Sequence, residues 1–194
     1  MSGAMKEPMT LEELEEEAAR PAAPVYPAIT RAERAHGRRL AAIHDMYRAE
    51  LDGVRHLLDR IRAGTAGAEA LAPAVAGTLL ARNMATFGTA CGRDCALLQN
   101  HHDIEEQWIF PALSSAGGAA LAPVIARLKA EHRLIHALIQ DLEAAARALV
   151  AAPDAGAFAR CAEGFAALDR AIRSHFGYEE RVLEAPLGAL RVPI

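Results

Sequence analysis

The densest run of chemistry-bearing side chains in this 194-residue chain is Asn100-His101-His102-Asp103-Ile104-Glu105-Glu106-Gln107-Trp108-Ile109-Phe110-Pro111. Two histidines are followed four positions later by two carboxylates, next to an apolar run. On a helix, residues four apart share a face, so His101 lies over Glu105 and His102 over Glu106. One of these pairs should face the interior. Burying an imidazole beside a carboxylate is costly, and a bound metal ion compensates both groups at once.

The histidines sit in long apolar stripes that predict the helices positioning them. Thr30 and Glu33 form a capping box for a helix running to about Arg62, with an inward seam of Leu40, His44, Tyr47, Leu51, Val54, Leu58 and Ile61. His36 and His56 fall off this seam and read as surface residues. After a Gly64–Gly67 turn and a short helix begun by Pro73, a second long helix is expected from about Met84 to Phe110, ended by Pro111. Its seam runs through Met84, Phe87, Cys91, Leu98, His101, Glu105 and Trp108, or, shifted by one residue, through Cys95 and His102; periodicity alone does not choose.

The third helix, about Leu121 to Val150, carries Leu121, Ile125, Leu128, His132, Ile135, Ile139, Leu142 and Leu149, with His136 at the flank. The fourth opens at Pro153-Asp154 and stops at Pro186, with a stripe of Phe158, Cys161, Phe165, Leu168, Ile172, His175, Glu179 and Val182. Four amphipathic helices with short connections predict an all-α, up-down-up-down four-helix bundle over residues 30–190. Residues 1–29 precede it as a separate acidic helix, Leu11 to about Arg20 behind a Thr10/Glu13 capping box, and a Pro-rich linker.

In such a bundle His44, His101, His132 and His175 all lie roughly 14–20 Å from the same end, at ~1.5 Å of rise per residue. An internal echo links the second and fourth helices, since His101-x-x-x-Glu105-Glu106 matches His175-x-x-x-Glu179-Glu180. The echo favours His101 with Glu105 as the inner pair. Imidazole and carboxylate together suit iron, manganese or zinc, and two carboxylates inside a bundle suit a dinuclear iron centre, with Glu105 and Glu179 bridging two metals. Tyr47 and Tyr178 lie within a turn of these ligands and, with Glu106 and Glu180, are candidates to support them. Gly177 is expected to make room near the metals.

Composition bounds the rest. With 52% hydrophobic and 5% aromatic residues, helices rather than a β-sandwich are indicated. The net charge of −4 argues against a nucleic-acid partner. Three cysteines without framework spacing fit a reducing cytoplasm. No continuous apolar run of ~20 residues suggests a membrane segment. Cys91 and Cys95 read as small packing residues, or as a redox pair.

The ordered set His44, His101-x-x-x-Glu105, Glu131-His132-x-x-x-His136 and His175-x-x-x-Glu179-Glu180 resembles the hemerythrin-like (HHE cation-binding) domains, over about Thr30 to Leu187. The resemblance implies a hemerythrin-type bundle holding two non-haem iron ions. It implies ligands His44, His101, Glu105, His132, His175 and Glu179, with His136 and His102 in a second tier. It also implies a small oxidant as ligand, whether O2, peroxide or nitric oxide, or iron sensing. Turnover, if present, would be catalase- or peroxidase-like or directed at nitric oxide. The last carboxylate departs from the oxygen carriers, which place an Asp one residue further on, and this counts against simple O2 carriage. The alternative is an iron- or oxygen-responsive regulatory module without turnover.

Overall fold

In a computed structural model the structure describes residues 8–64 and 93–194, and every regular element among them is helical. In chain order these are α1 (Leu11–Glu15), a 3-10 turn (Glu17–Ala19), α2 (Arg31–Gly37), α3 (Arg39–Gly64) and α4 (Arg93–Ile104). A π turn (Glu105–Ile109), α5 (Phe110–Gly117), a second 3-10 turn (Gly118–Leu121), α6 (Ala122–Ala151) and α7 (Ala155–Ala189) follow. The short Pro73 helix, the start of the second long helix and Cys91 lie outside the described residues.

The core comprises two apolar clusters with a polar layer between them. One cluster holds Leu51, Leu58, Leu98, Ile135, Ile139, Phe165, Ile172 and Phe176. The other holds Leu40, Ile109, Phe110, Leu113, Leu128, Val182, Leu183 and Leu187. Each long helix passes from one cluster to the other at its histidines: His44 between Leu40 and Leu51, His101 between Leu98 and Ile109, His132 between Leu128 and Ile135, His175 between Ile172 and Val182. The stripes expected on α6 and on the histidine-bearing half of α7 are buried along their length. An alternating ring of ion pairs, in which Arg55 and Arg173 each bridge Asp52 and Asp169, ties α3 to α7.

Several expected boundaries differ. The N-terminal helix stops at Glu15 rather than Arg20, and Glu16 leaves helical geometry at ψ 89°. Its like charges one turn apart, Glu12 with Glu16 and Glu13 with Glu17, oppose elongation. The first long helix breaks at Arg38 into α2 and α3, where α2 crosses α7 in very close contact. A Cβ on Gly37 would sit 2.0 Å from the Glu184 carbonyl oxygen, and one on Gly188 2.1 Å from that of Glu33. His36 is half-buried there, its Nε2 2.7 Å from the Val192 carbonyl.

Neither proline ends its helix. Ahead of Pro111 the chain widens into the π turn, and the Phe110 N–H reaches back five residues to the Glu105 carbonyl. The extra residue relieves the ring's clash with the preceding turn. It also rotates the seam, so Ile109 and Phe110 are buried and Trp108, expected inside, is 71% exposed. Pro186 lies within α7, where buried Leu187, Gly188 and Val192 anchor the chain beyond it.

Candidate metal centre

The polar layer contains His44, His101, His102, Glu105, His132, His175 and Glu179, all buried. Their ligand atoms fall into two groups, His44/His101/Glu105/Glu179 and His102/His132/His175, each spanning no more than 4.8 Å. Glu105 turns one oxygen to each: Oε1 lies 3.3 Å from His101 Nε2, and Oε2 lies 3.6 Å from His132 Nε2. Glu179 Oε2 is 3.5 Å from the Nε2 atoms of both His44 and His175. Two donors held ~2.1 Å from a common ion are about 3.0 Å apart at right angles and about 3.4 Å apart at the tetrahedral angle, so these spacings fit shared coordination.

Outer hydrogen bonds orient the rings. His44 Nδ1 is 2.9 Å from Glu180, His132 Nδ1 3.0 Å from Glu106, and His175 Nδ1 2.9 Å from Glu131. A ring donating its Nδ1–H to a carboxylate presents a lone pair on Nε2, the arrangement metal-ligating histidines use. His102 Nδ1 is instead 2.9 Å from His136 Nε2. Arg48 holds Glu180 at 2.6 Å. Phe176 lies flat on His44, with ring centroids 3.8 Å apart.

The layer is rich in acceptors and poor in donors. Among the described residues, seven buried side-chain atoms have no hydrogen-bond partner: the Nε2 atoms of His102, His132 and His175 and all four oxygens of Glu105 and Glu179. Leaving such atoms unpaired in an apolar interior costs several kcal/mol, roughly 1–3 for each group. Burial, reinforced by the charge of Glu179, raises the Glu105 carboxyl well above its ordinary range. Burial, with Glu131 and Glu180 nearby, does the same to Glu179. Burial and the neighbouring imidazoles push His101 down to about 2, and burial takes His132 to about 4 despite Glu106. Neutral imidazoles and carboxylates converging on one dry place fit a metal cation, which is the partner that satisfies all of them.

The outer carboxylates behave differently. The hydrogen bond to His132 lowers Glu106. Burial opposes ionisation of Glu131 and Glu180, but the hydrogen bonds they accept outweigh it and hold both below the ordinary range.

The structure brings the six principal sequence candidates together and places His102 among them. The two histidine–carboxylate pairs that looked like alternatives divide the work: His101, His102 and Glu105 all face the layer, while Glu106 backs His132. His136 stands behind His102. Tyr47 stays near the layer, its ring 5.4 Å from that of His101 and its hydroxyl donating to the Leu97 carbonyl. Tyr178 points elsewhere, donating to the Pro21 carbonyl at 2.7 Å. Gly177 makes no room at the layer: a Cβ there would meet nothing within 4 Å, and it borders a surface depression with Gly37, Arg38 and Glu180.

Sequence reasoning gave no role to Glu131, Arg127, Arg20 or Phe176. Arg127 lies one turn before Glu131 and bonds it at 2.7 Å, a spacing visible in the sequence. Arg20 also bonds Glu131, from 111 positions away, and no local pattern signals it.

Residues 38–187 match the family model described as the hemerythrin HHE cation binding domain. The comparisons with curated proteins and with solved structures found no match. The matched residues include every ligand atom of the polar layer and the outer carboxylates behind it, and the chain belongs to the hemerythrin HHE cation-binding family.

Proposed function

We propose that this chain is a non-haem di-iron protein that binds, and reduces, a small oxidant such as O2, hydrogen peroxide or nitric oxide. The observation that carries the reading is the position of Glu105, with one oxygen toward each histidine group. A carboxylate spanning two imidazole groups inside a helical bundle suits a dinuclear centre better than a single ion. The alternating passage of α3, α4, α6 and α7 between the two clusters supports an up-down-up-down arrangement of the bundle.

Iron held there would supply the electrons and Lewis acidity that small oxidants require. The chain's own residues prepare the place for it. Glu180, Glu106 and Glu131 fix the tautomers of His44, His132 and His175, and His136 does so for His102. Phe176 and Phe110 cover the imidazoles with apolar surface, keeping the interior dry. The groups are unequal: if Glu105 and Glu179 serve both ions, one ion receives two imidazoles and the other three. An incoming oxidant is therefore expected at the two-imidazole side, by His44 and His101.

Metal analysis of purified, iron-loaded protein tests this reading, with about two ions per chain expected from the paired donor groups. Added oxidant should change the visible absorption, and peroxide should release O2. Less than one ion per chain would overturn the reading. Two ions with no response to oxidant would favour a regulatory module without turnover, which the attachment of the N-terminal segment to the outer carboxylate Glu131 through Arg20 supports.

A further inference from the structure

We propose that Arg20 is a positioning residue for the metal centre, and that through it the docking of residues 8–29 is coupled to metal binding. The inference rests on His175 being a metal ligand. His175 reaches the polar layer with Nε2, and its orientation depends on Glu131, whose Oε2 lies 2.9 Å from Nδ1. Arg20 grips that carboxylate with a fork: Nε donates to Oε1 at 3.0 Å and Nη2 to Oε2 at 3.3 Å. Arg127 reaches only Oε1, at 2.7 Å. Arg20 is therefore the guanidinium that spans both oxygens and fixes the plane of the carboxylate, which in turn aims the imidazole.

The contact is enclosed, with the Arg20 side chain 3% exposed and that of Glu131 fully buried. Its attachment is broad. Leu14 is buried in the core cluster, Tyr178 donates to the Pro21 carbonyl, and Arg127 Nη2 donates to the Glu13 and Leu14 carbonyls. Undocking the segment removes one of two guanidiniums from a buried carboxylate and takes the carbonyl partners from the other. All these N-terminal contacts come from outside residues 38–187, the part matched by the family. Coupling of this kind is reciprocal, so metal that favours the aimed His175 also favours the docked segment.

The test uses the full chain titrated with Fe(II) and Co(II), as wild type, Arg20→Ala, Arg20→Lys and Arg170→Ala. Arg170 pairs with Glu15 at 3.3 Å in the open and does not touch Glu131, so it controls for general loosening of the segment. Arg20→Ala should bind the ion at the three-histidine group about 10–100-fold more weakly, as loss of outer-shell partners does. Its cobalt ligand-field bands should shift. Arg20→Lys, which keeps the charge without the fork, should fold like wild type yet retain part of the spectral change. Metal should slow proteolysis within residues 8–29 in wild type and not in Arg20→Ala.

Wild-type affinity and spectrum in Arg20→Ala, or equal losses in Arg170→Ala, would overturn the inference. Equal cleavage with and without metal in wild type would also overturn it. If Arg20→Ala does not fold, the cobalt spectrum of Arg20→Lys decides: an unchanged spectrum rejects positioning. Wild type that takes up no metal overturns the reading of the centre itself, a result distinct from metal-loaded wild type beside an unchanged Arg20→Ala.

Discussion

The Nε2 atoms of His44 and His101 meet 3.1 Å apart inside the bundle, beside two carboxylates that no side-chain or backbone donor satisfies among the described residues. Without a cation, burial favours the protonated carboxyls of Glu105 and Glu179 and the neutral imidazoles of His101 and His132. Metal binding therefore draws its protons from the carboxyls, whose protonated form the fold favours, and not from the imidazoles, whose neutral form it favours. Uptake should release protons, and affinity should rise with pH until the raised carboxyl values are passed. Calorimetric titration in buffers of different ionisation enthalpy measures the release. An affinity independent of pH would contradict it.

The same shifts set the stability of metal-free protein. A carboxyl raised in the fold contributes fully below its unfolded value of about 4.3, and the contribution is lost as pH rises through the native value. An imidazole depressed in the fold contributes fully above about 6.5, and its contribution is lost as pH falls toward the native value. For His132 and His101 those native values are about 4 and about 2. Chelated protein should be weakened from both directions, and the gap in melting temperature between loaded and chelated protein should widen as pH rises from ~5 to ~8. A constant gap would argue against metal-linked deprotonation of Glu105 and Glu179.

His102 and His136 separate by role. His102 offers an unpaired buried Nε2 to the layer, while His136 Nε2 lies 2.9 Å from Nδ1 on the far side of that ring. His102→Ala should lose one of the two ions. His136→Ala should keep both but weaken the three-histidine ion by about 10–100-fold. Metal content and affinity of the two variants check this. Equal losses would mean that His136 is itself a ligand.

The histidines on α3, α6 and α7 were legible because each interrupts an otherwise aliphatic stripe, and a side chain in such a stripe must be buried. The echo of His101/Glu105 by His175/Glu179 marked which carboxylates go inside. It misled on His102, because choosing one inner pair assumes that a helix meets the site along a single narrow stripe. A centre with two donor groups takes adjacent residues, His101 turning to one and His102 to the other. The π turn was hidden for another reason: Pro111 reads locally as a stop, and only the buried residues of α5 make its continuation favourable. Arg20 had no signal because its partner is set by tertiary packing.

The glycines give a three-way contrast. Gly37→Ala and Gly188→Ala would drive a Cβ into the carbonyl oxygens of Glu184 and Glu33. Those are backbone atoms of helices already packed together, so separation is the only relief, and each variant should lose about 1–3 kcal/mol or more. At Gly177 a Cβ meets open space, and Gly177→Ala should gain up to ~1 kcal/mol from reduced backbone entropy. Urea unfolding of the three variants reads this directly. Destabilisation by Gly177→Ala would show that the position is tighter than its surroundings suggest.

Phe176 is fully buried, stacks on His44 with planes 6° apart, and carries the Arg48 guanidinium 5.4 Å from its centroid. Arg48 also holds Glu180, which in turn bonds His44, so the ring and the ion pair constrain the same imidazole from two sides. Phe176→Ala removes one constraint and opens a cavity in the apolar cluster, at a cost of about 3–5 kcal/mol. Phe176→Leu, which refills most of that volume without a flat face, should recover much of the stability. If stacking holds His44 in place, Phe176→Leu should still weaken metal at the His44/His101 group more than at the three-histidine group, measured by stepwise cobalt titration. Equal weakening of both steps would reduce Phe176 to a packing residue.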